Sequence, residues 1–136
     1  MTTFRLYGEV FKFEAEKPLV HPVTKEYLKD DEGNIKTEIV NYEIREISAA
    51  VRDAFLNENA KRMRYNREGK VIGVREHKGM YSGLLAICLY DENGKLIPEK
   101  EIQSWPTTTQ EALFIEANKI NKLNKEAPGE AELGND

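Results

Sequence analysis

At 136 residues, with 40% hydrophobic and 32% charged side chains and a formal net charge of −4, the chain has the size of one domain with a heavily charged surface, and its sign disfavours nucleic-acid binding driven by total charge. No run approaches the ~18 apolar residues of a membrane span, and the N-terminus lacks the apolar core of a signal peptide. The lone cysteine, Cys88, lies within an apolar run, as expected of a buried, reduced thiol in a cytosolic protein.

In chain order, Phe4, Leu6, Val10, Phe11 and Phe13 form a run rich in β-formers that predicts a first strand or bent strand pair, with Gly8 at a bulge. Pro18 and Pro22 then interrupt regular structure and mark a connector. Asp30-Asp31-Glu32-Gly33-Asn34 supplies a hairpin turn after Tyr27-Leu28. Its second arm runs through Ile35, Thr37, Ile39, Tyr42, Ile44 and Ile47. The parity of these apolar positions changes after Ile39-Val40, which predicts a bulge or a break there.

Ser48 is placed to cap a helix over Ala49 to Tyr65, with Lys61, Arg62 and Arg64 in its last turns against the negative end of the helix dipole. Val71-Ile72-Gly73-Val74 is a small apolar unit within a polar loop, read as a brief strand or a mobile segment. The continuous run Leu84 to Leu89 fits a buried helix from about Gly79 to Tyr90, or a strand turning at Asp91 to Gly94; the helix is preferred. Pro98 and the acids after it open a short helix to Trp105. Thr107 with Gln110, or Thr108 with Glu111, offers a capping box for a last helix that buries Leu113, Phe114, Ala117, Ile120 and Leu123. The expected fold is α+β: an N-terminal antiparallel sheet or hairpin packed on about four helices, one domain over 1–124. Residues 125–136, acidic and without an apolar face, are expected to form a flexible tail.

No residue pattern in the chain supports catalysis. His21 and His77 are far apart and have no cysteine or second histidine at metal-ligand spacing. Ser48, Ser82, Ser104 and Cys88 lack the setting of an activated nucleophile. Gly69-Lys-Val-Ile-Gly73 has neither the phosphate-loop nor the dinucleotide spacing. Asp30 to Asn34 looks like a calcium loop, but Asn41 stands where the bidentate glutamate belongs. The expectation is a protein without catalytic, cofactor-binding or metal residues.

The remaining signal is charge. From Lys61 to Lys78 seven basic residues face two acids, whereas Gly79 to Asp136 holds five lysines and ten acids. The basic stretch reads as a solvated helix end, as a contact for an acidic protein surface, or as a phosphate-binding patch with Tyr65 for stacking. Arg62, Arg64, Arg67 and Lys70 are its candidate partner-binding residues.

Three segments then stand in a telling order: Arg45-Glu-Ile-Ser-Ala-Ala-Val-Arg-Asp-Ala-Phe55, Leu84-Leu-Ala-Ile-Cys-Leu-Tyr-Asp-Glu-Asn-Gly-Lys-Leu-Ile97, and Ala112-Leu-Phe-Ile-Glu-Ala-Asn-Lys-Ile-Asn-Lys-Leu123. In that order and spacing the stretch Tyr42 to Leu123 resembles the small tail assembly chaperones of long-tailed, lambda-like bacteriophages. It departs from them at Trp105-Pro106, where a leucine-glycine connection is more usual, in its long basic loop, and over Phe4 to Asn41, which matches nothing in that pattern. The resemblance implies a non-enzymatic protein of the host bacterial cytoplasm, absent from the mature virion, whose partners are the tape measure protein and the tail tube protein. It also implies, as in many relatives, a longer product made by ribosomal frameshifting near the end of the gene. Shielding a long apolar helix calls for surplus hydrophobics ringed by charge, and Leu85, Leu89, Trp105 and Phe114 are candidates for that contact, each also a candidate for the core. Coating a long partner would reward self-association. A nucleic-acid-binding accessory protein using 61–78, and a structural head–tail or tail component, are the alternatives.

Overall fold

The computed structural model describes residues 1–74 and 79–123. Two long strands, β1 (Val10–Pro18) and β2 (Thr37–Arg45), pair antiparallel along their whole length, Val10 opposite Arg45 through Pro18 opposite Thr37. Helix α1 (Ala49–Ala60) follows, then a separate two-stranded hairpin, β3 (Met63–Tyr65) with β4 (Val71–Val74). The short helix α2 (Ser82–Leu85) leads into β5 (Leu89–Asp91), which joins β2 and completes a sheet ordered β1-β2-β5. Helices α3 (Glu99–Gln103) and α4 (Thr107–Asn121) close the described chain. The architecture is α+β, with two antiparallel sheets and four helices among the described residues. The expected acidic tail over 125–136 lies outside those residues.

The inner face of the sheet pairs Phe11 with Ile44, Phe13 with Tyr42 and Ala15 with Val40. Phe13 stacks on Tyr42 at 5.6 Å between ring centroids, and Tyr42 meets the edge of Trp105 at 5.9 Å. Beneath this row Leu84, Leu85, Cys88, Leu89, Ile97, Ile102, Leu113 and Ala117 form one buried cluster with Ile44, extended by Ile120 and Leu123. Burying such side chains contributes about 1.5–3 kcal/mol each, which is why the short α2 and α3 hold at all: alone they are far below the length at which helices are stable.

Four local expectations are corrected. The strand starts at Val10, so Phe4 and Leu6 precede it, and Gly8 is no bulge. A β-carbon there would lie 2.6 Å from Glu46 Cβ, so the residue is held to glycine by close approach. Along β2 the register runs without a shift through Ile39-Val40; Val40 faces inward and Ile39 outward at 58% exposure. The apparent change of parity was an apolar side chain on the solvent face. The first helix stops at Ala60, so Arg62 and Arg64 are not in its last turns: Lys61 and Arg62 donate to Glu58 and Asn59 carbonyls in a tightening turn, and Met63 to Tyr65 pair with β4 instead. Finally, Thr107 is the first helical residue of α4 after Pro106, with no side-chain cap, and Gln110 donates back to the Trp105 carbonyl at 2.9 Å.

The ambiguous run Leu84 to Leu89 resolves into parts of both readings. Its first half is helical and its second half is strand, with Ile87 and Cys88 N–H groups donating to Leu84 and Leu85 at the junction. A single helix over 79–90 would leave β2 without a neighbour on this side, and Arg45 would lose its bond to the Cys88 carbonyl at 2.9 Å. Ser48 caps α1 as expected, accepting from the Val51 N–H at 3.3 Å.

Candidate partner-binding surface

The β3–β4 hairpin stands largely outside the core. No residue of either strand is fully buried, and Tyr65, Val71 and Ile72 are exposed, Ile72 at 61%. Its tip is set by Asn66, whose Oδ1 accepts from the Glu68 N–H at 2.9 Å and the Lys70 N–H at 3.0 Å. Gly69 closes that turn at φ +83°, a conformation that suits glycine. Arg67 and Lys70 therefore occupy a fixed loop, and Arg64 on β3 lies across from Gly73, where no side chain crowds it. Three cations and three exposed apolar side chains share one small hairpin.

Arg62 belongs elsewhere. Its guanidinium nitrogens and the Glu99 carboxylate both border the point where a side chain on Gly79 would sit, at 3.3 Å and 2.8 Å. Glu99 also accepts from the buried Ser82 hydroxyl at 2.9 Å. Arg62 thus lies against α2 and the start of α3, at the root of the hairpin. The basic residues Arg75 and Lys78, and His77, lie outside the described residues.

Of the hydrophobic candidates, Leu85 and Leu89 are fully buried and form part of the core, so neither presents a surface to a partner. Trp105 and Phe114 are half-buried and pack against that core, Phe114 with its ring centroid 5.1 Å from that of Tyr81. The candidate set therefore separates: Arg64, Arg67 and Lys70 share the exposed arm, Trp105 and Phe114 reach the surface with one edge, and Leu85, Leu89 and Arg62 serve the fold.

On the opposite side of the sheet a groove of about 520 Å³ lies over Lys12, Glu14, Glu43 and Glu92. It is acidic, and among the described residues no cluster of three or more His, Cys, Asp or Glu side chains could hold a metal ion. Beside it Arg45 bonds Glu43 at 2.7 Å and covers the Tyr90 ring at 3.9 Å. The bond to Glu43 raises the guanidinium above its ordinary value. Burial pushes the Cys88 thiol up to about 12, and its Sγ donates to the Leu84 carbonyl at 3.3 Å. A thiol held neutral in this way is packing, not a nucleophile. His21 is a loop organiser whose Nδ1 accepts from the Val23 and Thr24 N–H groups at 3.1 and 3.3 Å.

One residue that the sequence did not single out ties the fold together. Asn121 is buried on α4; its Oδ1 accepts from the Ile47 N–H at 2.8 Å and its Nδ2 donates to the Ala117 carbonyl at 3.0 Å. The signal for it was a polar residue on the apolar face of an amphipathic helix, next to Ile120 and one turn from Ala117. No helix among the described residues is long and apolar enough to cross a membrane. Compared with protein-family models, curated proteins and solved structures, the chain matches none.

Proposed function

We propose that this chain is a tail assembly chaperone of the long-tailed phage kind, a non-catalytic binder that keeps the tape measure protein soluble in the host cytoplasm while tail tube subunits assemble around it. The observation that supports this reading is the meeting of the three segments that carry the resemblance. Within the first, the Arg45 N–H donates to Cys88 of the second and the Ile47 N–H donates to Asn121 of the third. Their order in the chain thus corresponds to one packed unit, with the basic arm inserted between the first two. A long client helix with an apolar stripe edged by acids suits that arm: Tyr65, Val71 and Ile72 for the stripe, Arg64, Arg67 and Lys70 for its edges. Contact of this kind shields the client from aggregation, while the charged remainder of the domain keeps the pair in solution.

Co-expression of the chain with a long helical tape measure protein tests this. The client is expected in the soluble fraction only when the chain is present, and the triple variant R67E/K70E/I72S is expected to lose most of that effect while remaining folded. Recovery of the chain in washed mature particles, or client solubility indifferent to its presence, defeats the reading. The same arm supports a second reading, since Tyr65 stands exposed among arginines as a base-stacking side chain would. A gel shift whose affinity falls steeply with salt would favour a nucleic-acid partner instead.

A further inference from the structure

β1 is the outermost strand of its sheet, and its free edge differs from its bonded edge in a way that selects a partner. The Glu9 carbonyl accepts from the Glu46 N–H and the Leu19 N–H donates to the Lys36 carbonyl, both at 2.9 Å and in the register of the β1–β2 ladder. Backbone groups of an antiparallel strand alternate between its two sides. Odd-numbered residues from Glu9 to Leu19 therefore bond toward β2, and Val10, Lys12, Glu14 and Glu16 direct their N–H and C=O groups to the free edge. None of the described residues bonds to them. Along this edge the solvent-facing side chains read Val, Lys, Glu, Glu, all exposed.

We infer that this edge is a self-association surface on which a second copy of the chain pairs its own β1 antiparallel, about a two-fold axis at Phe13. The choice of register follows from charge. With the axis at Lys12 or Glu14 that residue faces itself, and with the axis at Ala15 Glu14 faces Glu16. With the axis at Phe13, Lys12 faces Glu14 of the second copy and Glu14 faces Lys12, and the two-fold makes the contact reciprocal. Val10 then stands opposite Glu16, and no like charges meet. On the inner face Phe13 lies beside Phe13, and Phe11 beside Ala15. The stack of half-buried Phe11 and Phe13 on buried Tyr42 thereby continues across the seam into one aromatic layer.

The segment before β1 supplies an independent reason. Phe4 and Leu6 are exposed at 81% and 98%, an apolar stretch with no cover in the single molecule. The chain bends at Leu6–Tyr7 and enters β1 at Val10, so a second copy paired along β1 lies next to this stretch, and Val20, also exposed, follows the far end of the same strand. Lysine and proline at a sheet edge commonly serve to repel pairing. Here the lysine is followed on the same face by an acid two residues on, which converts a repelling edge into a self-complementary one. This surface is distinct from the basic arm, so the inference stands or falls apart from the chaperone reading.

Sedimentation of the full chain over a wide concentration range tests it. A reversible monomer–dimer equilibrium is expected. The single variants K12E and E14K each set like charges opposite one another twice and should weaken the dimer roughly tenfold. The double variant K12E/E14K restores opposite charges at both contacts of this register and should return the dimer to near its original strength; circular dichroism confirms that all three variants remain folded. A chain that is monomeric throughout, a dimer indifferent to the single changes, or a double variant that stays weak overturns the inference. A monomer that instead takes up an extended peptide along β1 assigns the edge to another occupant and overturns it equally.

Discussion

The β1–β2 and β3–β4 hairpins use the same local chemistry to different ends. Each has an Asp or Asn whose side-chain oxygen accepts from the N–H groups two and four residues on, followed by a glycine at positive φ: Asp30 with Gly33 in one, Asn66 with Gly69 in the other. Asp91 with Gly94 repeats the device after β5. Only the first hairpin, however, lays one face on helices and buries Tyr42 and Ile44; the second stands on its own ladder. A turn motif brings two strands together, but an isolated two-stranded ribbon is marginal in water. Packing is what separates the sheet, held by the core, from the arm, held by its own ladder and turn.

The contrast is broken most directly by cutting into the packed side. Leu84→Ala empties a fully buried position and should cost about 2–5 kcal/mol in chemical denaturation, whereas Ile72→Ala on the arm should cost little. Alkaline pH probes the same core. The folded Cys88 thiol keeps its proton to about 12 while the unfolded one loses it near its ordinary value of 9.0, so stability is full below pH 9 and declines as pH rises toward 12, by on the order of 4 kcal/mol. Tyr42, raised chiefly by burial, acts in the same direction at the alkaline end. Cys88→Ala should flatten the decline between pH 9 and 12, as read from urea midpoints at stepped pH.

Asn121→Ala leaves the part-buried Ile47 N–H without its partner and should cost about 1–3 kcal/mol, loosening the β2–α1 junction in hydrogen exchange before the rest of the sheet. Ser48→Ala removes a cap on a helix with no fully buried residue and should cost about 1 kcal/mol, visible as a small drop in thermal midpoint. The smallest effect sharpens the comparison: R67A and K70A should each change stability by less than about 0.5 kcal/mol, because these side chains project from a turn held by backbone and Asn66. A large loss there would mean that the arm is part of the core after all.

Much of the candidate surface was legible in one dimension. The excess of cations in 61–78 and the apolar residues around Val71 are local facts, and Arg64, Arg67, Lys70, Val71 and Ile72 remain neighbours in space because a tight hairpin joins residues close in sequence. Leu85 and Leu89 were ambiguous, since an apolar residue looks the same whether it faces a groove or a core. Arg62 was misassigned with the cations beyond it because the helix was carried one turn too far. Its link to the Glu99 region depends on residues that meet only after α2 and α3 have packed.

By itself the sequence determined the α+β class, the Ser48 cap, the turn at Asp30 to Asn34 and the amphipathic last helix, because each of these depends on residues within a few positions of one another. Tertiary structure alone decided where α1 ends, how 84–89 divides between helix and strand, which of Ile39 and Val40 faces inward, and that Asn121 would anchor Ile47. Those outcomes rest on backbone groups and side chains far apart in the chain competing for the same partners, and that competition is settled only when the whole core closes.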